Sequence, residues 1–203
     1  MSDIMSISRH RMGTDGCGVT TLVGFHGCPL NCKYCINRSC HDDSIVRATY
    51  TPLELINTVS IDAPYFLMTG GGITFGGGEP LLQAPYIHEV CSLADSRWTK
   101  SIETSLYADW SKISILLHDI DFWYIDIKAV DPKIYRRYTG KQNVRVLANL
   151  RRLVNQVGVD KICVRYPIIP DYSSEQNRQD GIHILRNEIN KDLLIEEFDY
   201  IKC

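Results

Sequence analysis

The chain has 203 residues, 44% of them apolar and 23% charged, with a formal net charge of -2. That length suits one domain with a substantial core. The balance gives no support to a nucleic-acid footprint, and no apolar run approaches the roughly 18 residues of a membrane span. With no signal peptide visible at the N-terminus, the expectation is a cytoplasmic protein with a single domain over residues 1–203.

Residues 19–25 are a short run rich in β-branched side chains, read as a buried strand. It leads into Gly27-Cys28-Pro29-Leu30-Asn31-Cys32-Lys33-Tyr34-Cys35-Ile36-Asn37, with cysteines spaced C-x3-C-x2-C. Thr51-Pro52-Leu53-Glu54 combines an N-cap, a proline at the first helical position and a capping-box glutamate. The helix it opens is expected to reach about Ile61. Residues 72–75 form a second strand ending in Gly76-Gly77-Gly78-Glu79-Pro80, and a helix follows through Tyr86, Ile87 and Val90. Residues 100–104 read as a third strand and 122–127 as a fourth, almost continuously hydrophobic, as a strand covered on both faces should be. Helices are expected over 109–117, 132–138 and 144–157. A fifth strand at 162–169 is stopped by Pro170, Ser174 caps a polar helix to about Asn190, and 193–198 is a sixth strand. Six strand–helix repeats without long linkers predict an α/β fold with a parallel sheet and helices outside; periodicity does not say whether it is flat or curled.

The cysteine triplet carries the most chemistry. Three thiolates within eight residues can bind one face of a cubane iron–sulfur cluster and leave its fourth iron without a cysteine ligand. A structural site closes its coordination shell, whereas an open position invites a substrate. A zinc site or ordinary buried thiols are the other readings, and neither asks for this spacing. Cys17, Cys40, Cys91, Cys163 and Cys203 are scattered and read as thiols of a reducing, anaerobic cell; Cys40 is near enough to raise the question of an extra ligand. His26 neighbours the loop and reads as an ordinary loop histidine.

Ligands of parallel α/β sheets bind at the carboxyl ends of the strands, and the remaining candidates lie there. The glycine run before Glu79 permits unusual dihedrals and close backbone approach, for a ligand or for a tight turn. Glu103-Thr104 ends the third strand and Asp126-Ile127-Lys128 the fourth. An acid inside an apolar strand needs a partner, and Asp126 and Lys128 share one side of the strand, so they could simply pair. Arg165, inside a buried-looking strand, needs a carboxylate or phosphate.

Together these segments resemble the radical S-adenosylmethionine (SAM) superfamily, and within it the glycyl-radical-enzyme activases. The resemblance runs over about residues 13–200 and includes Asp15-Gly16-Cys17-Gly18, Gly72-Ile73-Thr74 and Ile168-Ile169-Pro170. It implies an open (β/α)6 partial TIM barrel. It also implies a [4Fe–4S] cluster on Cys28, Cys32 and Cys35, and SAM held by Tyr34, Gly77, Gly78, Glu79, Thr104, Asp126, Lys128 and Arg165. Glu103 with Asp126 would stand at a monovalent cation site, and Asp15 beside the partner's glycine loop. The activity implied is reductive cleavage of SAM to a 5′-deoxyadenosyl radical that takes hydrogen from a glycine of a partner glycyl radical enzyme. A flavodoxin- or ferredoxin-type donor would supply the electron to a monomeric enzyme with no catalytic acid or base of its own. The chain departs from the activase pattern at Cys17 and Thr20, where a proline and an arginine are typical, and at Tyr200-Ile201, where the final strand typically ends in a histidine. No inserted ferredoxin-like domain is visible. The alternatives are a radical SAM enzyme acting on a small molecule, of the deazapurine type, and a non-enzymatic iron–sulfur module. Lys133, Arg136, Arg137 and Lys141 form either a solvated helix face or a docking patch for an acidic partner.

Overall fold

The computed structural model describes residues 1–45 and 48–200. Cys203 and Ile201, both singled out above, lie outside the described residues. The chain gathers into two compact units. The first holds Met1–Cys28, Asn37–Thr104 and Asp109–Trp123; the second holds Pro29–Ile36, Ser105–Ala108 and the chain from Tyr124 onward.

All six expected strands form: β2 (Val19–Phe25), β4 (Gly72–Gly77), β5 (Thr99–Thr104), β6 (Phe122–Asp126), β7 (Ile162–Ile168) and β8 (Leu194–Asp199). Two more were not anticipated, β1 (Ser2–Met12) and β3 (Ala48–Tyr50). The strand order is β3-β1-β2-β4-β5-β6-β7-β8. Pairing is parallel for β2–β4, β4–β5 and β7–β8 and antiparallel for β1 against β2 and β3. The result is an open, mostly parallel α/β sheet.

In the first unit the sheet has two unlike faces, because side chains alternate along each strand. Register sets Val23 beside Phe75 and Phe75 beside Ile102. These residues are fully buried, as are Leu55 and Val59 of α1 (Pro52–Val59), Phe66 of α2 (Ala63–Thr69) and Ile87 and Val90 of α3 (Ala84–Leu93). Burying each such side chain contributes about 1.5–3 kcal/mol. The opposite face carries Leu22 and Gly24 on β2, Thr74 and Gly76 on β4, and Ser101 and Glu103 on β5. That face is built largely from small and polar residues, and Thr74 and Ser101 on it are buried.

The capping box at Thr51 and Glu54 forms as the sequence predicts, but α1 stops at Val59 and a single 3-10 turn leads into α2. Asp62, at the start of α2, makes no cap; it turns inward to Arg9, His10 and Thr21. A register shift in β1 between Ser8 and Arg11, with His10 at φ 56°, delivers both Arg9 and His10 to that buried carboxylate.

In the second unit, Ile125, Ile127, Val164 and Tyr166 are buried, together with Leu150 and Leu153 of α6 (Val144–Val157) and Ile182 and Leu185 of α7 (Glu175–Glu188). The expected helix at 109–117 is α4 (Trp110–Ile115), and that at 132–138 is α5 (Pro132–Thr139). Two buried asparagines hold loops: Asn149 donates to the Leu106 and Ala108 carbonyls, both at 2.9 Å, and Asn143 to Val130 O at 2.6 Å.

Candidate functional site

The end of β2 brings Phe25, His26 and Gly27 to Cys28, and the glycine run leaving β4 is fastened to this segment through its backbone. Gly78 N–H donates to Phe25 O at 2.9 Å and Glu79 N–H to Gly27 O at 2.8 Å. The Asn37 side chain donates to Gly77 O at 2.8 Å, and Gly27 N–H to Cys40 O at 2.9 Å. Gly77 sits at φ 91°, and a Cβ there would lie 2.7 Å from Gly24 Cα. A Cβ on Gly78 would lie 2.2 Å from Gly27 O. Contact between the two segments therefore demands these glycines, whatever else they do.

Glu79 is buried, and its Oε1 accepts from Thr104 Oγ1 at 2.5 Å and from Leu81 N–H at 3.2 Å. Glu79 and Thr104, predicted separately, thus meet. Glu103 Oε2 lies on the small-residue face, 3.2 Å from where a Gly76 Cβ would stand. Asp15 is buried, and its carboxylate takes both Nε and Nη2 of Arg11. The Asp15 carbonyl accepts from Thr74 Oγ1 at 2.5 Å, which seats the Asp15-Gly16 turn on the small-residue face.

In the second unit the cysteine loop leans on the last turn of α5. Asn31 N–H donates to Thr139 O at 3.0 Å and Lys33 N–H to Tyr138 O at 3.2 Å. Tyr34 donates its hydroxyl to Asp171 Oδ2 at 2.7 Å, and its ring centroid is 6.1 Å from Tyr138 and 5.8 Å from Tyr172. Tyr200 extends this aromatic group, 6.3 Å from Tyr138. Lys128 is half-buried, 3.2 Å from Asp126 Oδ2 and 5.9 Å from the Tyr200 ring. Burial works to lower its pKa, but Asp126 and then Cys32 outweigh it, so the ammonium is held above the usual lysine range. Arg165 donates to Glu196 on β8 at 3.1 Å and lies 4.4 Å over the Tyr124 ring.

The described cysteines are all thiols, with Cys28, Cys32 and Cys35 half-buried and Cys40 and Cys163 buried. Cys28 closes a segment of the first unit, and Cys32 and Cys35 stand in the second. Among the described residues no group of three or more His, Cys, Asp or Glu side chains stands ready-formed as a metal site. The donor chemistry nonetheless fits an iron–sulfur group: soft thiolates are its ligands, and a half-buried lysine beside Cys32 offsets the negative charge they would bring. Arg11, Asn37 and Asp171 touch the candidate residues and were not singled out as site residues in the sequence; Tyr200, noted there only as a departure, also packs against them. Only their tertiary contacts mark them.

Residues 22–179 match the Radical SAM superfamily. The chain belongs to that superfamily. Among its curated relatives are the pyruvate formate-lyase-activating enzyme of Clostridium pasteurianum, 34% identical over 85% of this chain and 72% of that one, and the (2S)-3-sulfopropanediol dehydratase activating enzyme of Klebsiella oxytoca, 31% identical over 86% and 74%. In fold it is similar to SuiB of Streptococcus suis bound to S-adenosylmethionine, with a TM-score of 0.62 at 17% identity, covering 90% of this chain and 42% of SuiB. This is an enzyme of the radical SAM oxidoreductase type, a family that implies a [4Fe–4S] cluster and SAM. No helix among the described residues is long and apolar enough to cross a membrane.

Proposed function

We propose that this radical SAM enzyme activates a glycyl radical enzyme by removing a hydrogen atom from a backbone glycine of that partner. Similarity to activating enzymes over 85% of the chain carries the reading. Cys28, Cys32 and Cys35 would hold the cluster. When bound, it would supply the one electron for splitting SAM, the chemistry by which a hydrogen atom would be taken from the partner glycine to leave methionine, 5′-deoxyadenosine and a glycyl radical.

The chain's own part is to bind, orient and exclude water. Glu79, fixed by Thr104 and by the turn that it caps, presents a buried carboxylate to the amino group of SAM, beside the backbone of Gly77 and Gly78. Lys128 stays protonated beside Asp126, ready for a carboxylate; Arg165 and Tyr34 complete the SAM contacts. Glu103 and Asp126 are the candidates for a monovalent cation. Asp15, braced by Arg11, faces the incoming loop, where a carboxylate can accept backbone N–H groups. A flavodoxin- or ferredoxin-type protein supplies the electron.

Electron paramagnetic resonance tests this on a mixture of reconstituted enzyme, SAM, dithionite and a candidate glycyl radical enzyme. The expected result is a glycyl doublet on the partner. SAM turnover that modifies a small molecule, with no protein radical on any candidate, would overturn it.

A further inference from the structure

Helix α5 has two unlike faces. Tyr135, Tyr138 and Thr139 are buried, while Lys133, Arg136 and Arg137 are exposed, and exposed Lys141 follows the Gly140 cap. Spacings of three and four residues put the helical cations on one side. Lys33 joins them: it is exposed, and its N–H donates to Tyr138 O in the last turn of α5. Its chain neighbour is Cys32, about 3.8 Å away between Cα atoms. Three cations on the helix, Lys141 just past its cap and Lys33 in the loop therefore form a stripe that ends at the cysteine loop.

Three of these charges, those of Lys133, Arg136 and Lys141, do little for the fold: they make no ion pair among the described residues. Arg137 donates to the carbonyls of Asp171 and Tyr172 at 3.0 and 2.9 Å and lies 4.9 Å over the Tyr172 ring, so its charge meets no carboxylate in these contacts. Two acids border the stripe. Asp131 accepts from the N–H groups of Lys133 and Ile134, and Asp171 from the Tyr34 hydroxyl. Their charges reduce the stripe's excess but leave it positive, on a chain whose formal net charge is -2.

We propose that this stripe is the docking surface for the electron donor, a small acidic one-electron carrier protein. The inference rests on the radical SAM reading above. One electron leaves the reduced carrier, which is oxidised by one, and reduces the iron–sulfur group by one; no bond or proton moves. Complementary charge raises the rate of encounter without demanding a large interface, and redox complexes are among the smallest. The stripe ends on the thiol loop itself, which is where a carrier must come close and where a phosphate backbone has no reason to. An acidic protein is therefore favoured over a nucleic acid.

Binding of a purified acidic flavodoxin and an acidic ferredoxin to the anaerobically reconstituted enzyme, by calorimetry at low and moderate salt, tests the assignment. Wild-type affinity for at least one carrier should fall at least tenfold as salt rises, and Arg136→Glu with Lys141→Glu should weaken it at least tenfold at low salt. The same double variant should keep its iron content, its melting temperature and its dithionite-driven SAM cleavage, while carrier-driven cleavage falls. Carrier affinity unchanged within twofold in the variant, or no carrier binding by wild type, overturns the docking surface. So does binding of a single-stranded RNA oligonucleotide that the variant loses while keeping the carrier. Failure of dithionite-driven SAM cleavage in the wild type would instead sink the radical SAM activity on which the inference stands.

Discussion

The first unit fastens its glycine–glutamate segment through the backbone, whereas the second places Tyr34, Lys128 and Arg165 through side chains. Gly77, Gly78 and Glu79 are pinned by main-chain hydrogen bonds to the strand that leads to Cys28, in contacts too close for a Cβ. Tyr34, Lys128 and Arg165 are placed by the carboxylates of Asp171, of Asp126 on β6 and of Glu196 on β8. Where the backbone is the scaffold, a substitution disturbs fold and site together. Where side chains are the scaffold, the two can be separated.

Substitutions that break this contrast differ in expected size. Largest is loss of the thiols: Cys28→Ala, Cys32→Ala or Cys35→Ala should each abolish iron incorporation after anaerobic reconstitution, while Cys40→Ala should retain it, read by iron content and visible absorbance. Next is Gly78→Ala, whose Cβ meets the Gly27 carbonyl at 2.2 Å; it should cost about 3 kcal/mol in chemical denaturation. If the variant melts like wild type, the backbone scaffold is not what holds this edge. Asp62→Asn should cost about 2 kcal/mol at neutral pH, because it weakens charged hydrogen bonds to a buried group. Burial works to raise the Asp62 pKa, but the hydrogen bonds from Arg9 and Thr21 outweigh it, and the carboxyl lies below its usual range. A depressed carboxyl contributes stability above its unfolded pKa of about 3.9 and loses it as pH falls through the folded value. The gap between wild type and Asp62→Asn should therefore close in acid, and a gap that widens there rejects this account. Smallest is Arg165→Lys: Glu196 is half exposed, so the lost pair and ring contact should cost about 1 kcal/mol or less. SAM affinity should fall more than stability, which calorimetry beside thermal melts would show. Equal affinity for SAM would make Arg165 a purely structural link to β8.

Local signals carried much of the fold. The β-branched runs at 19–25 and 162–169 and the Thr51–Glu54 box each declare an element from adjacent residues, and each forms. Strand β1 did not announce itself, because polar residues fill most of its length and a register shift at Arg9 and His10 breaks its alternation. Helix α2 starts without a side-chain cap, since Asp62 is committed to Arg9, and β3 is only three residues long. The site divides the same way. The cysteine spacing and the glycine–glutamate segment are contiguous in sequence and legible there. The pairing of Asp15 with Arg11 and of Tyr34 with Asp171 depends on how the chain returns on itself; the second spans 137 residues and leaves no periodic trace.

The last turn of α5 has a consequence for the cysteine loop. Helix ends leave carbonyls without partners, and here Tyr138 O and Thr139 O are taken by Lys33 and Asn31. Cys32 lies between those two anchors, and its carbonyl accepts from Cys35 N–H at 3.3 Å. Ordering a residue's backbone costs about 1–2 kcal/mol, and these hydrogen bonds offset part of that cost for residues 31–33. Cys32 is therefore tied to the packing of α5 as well as to its own loop, so a change in the last turn of that helix reaches a cysteine far away in sequence.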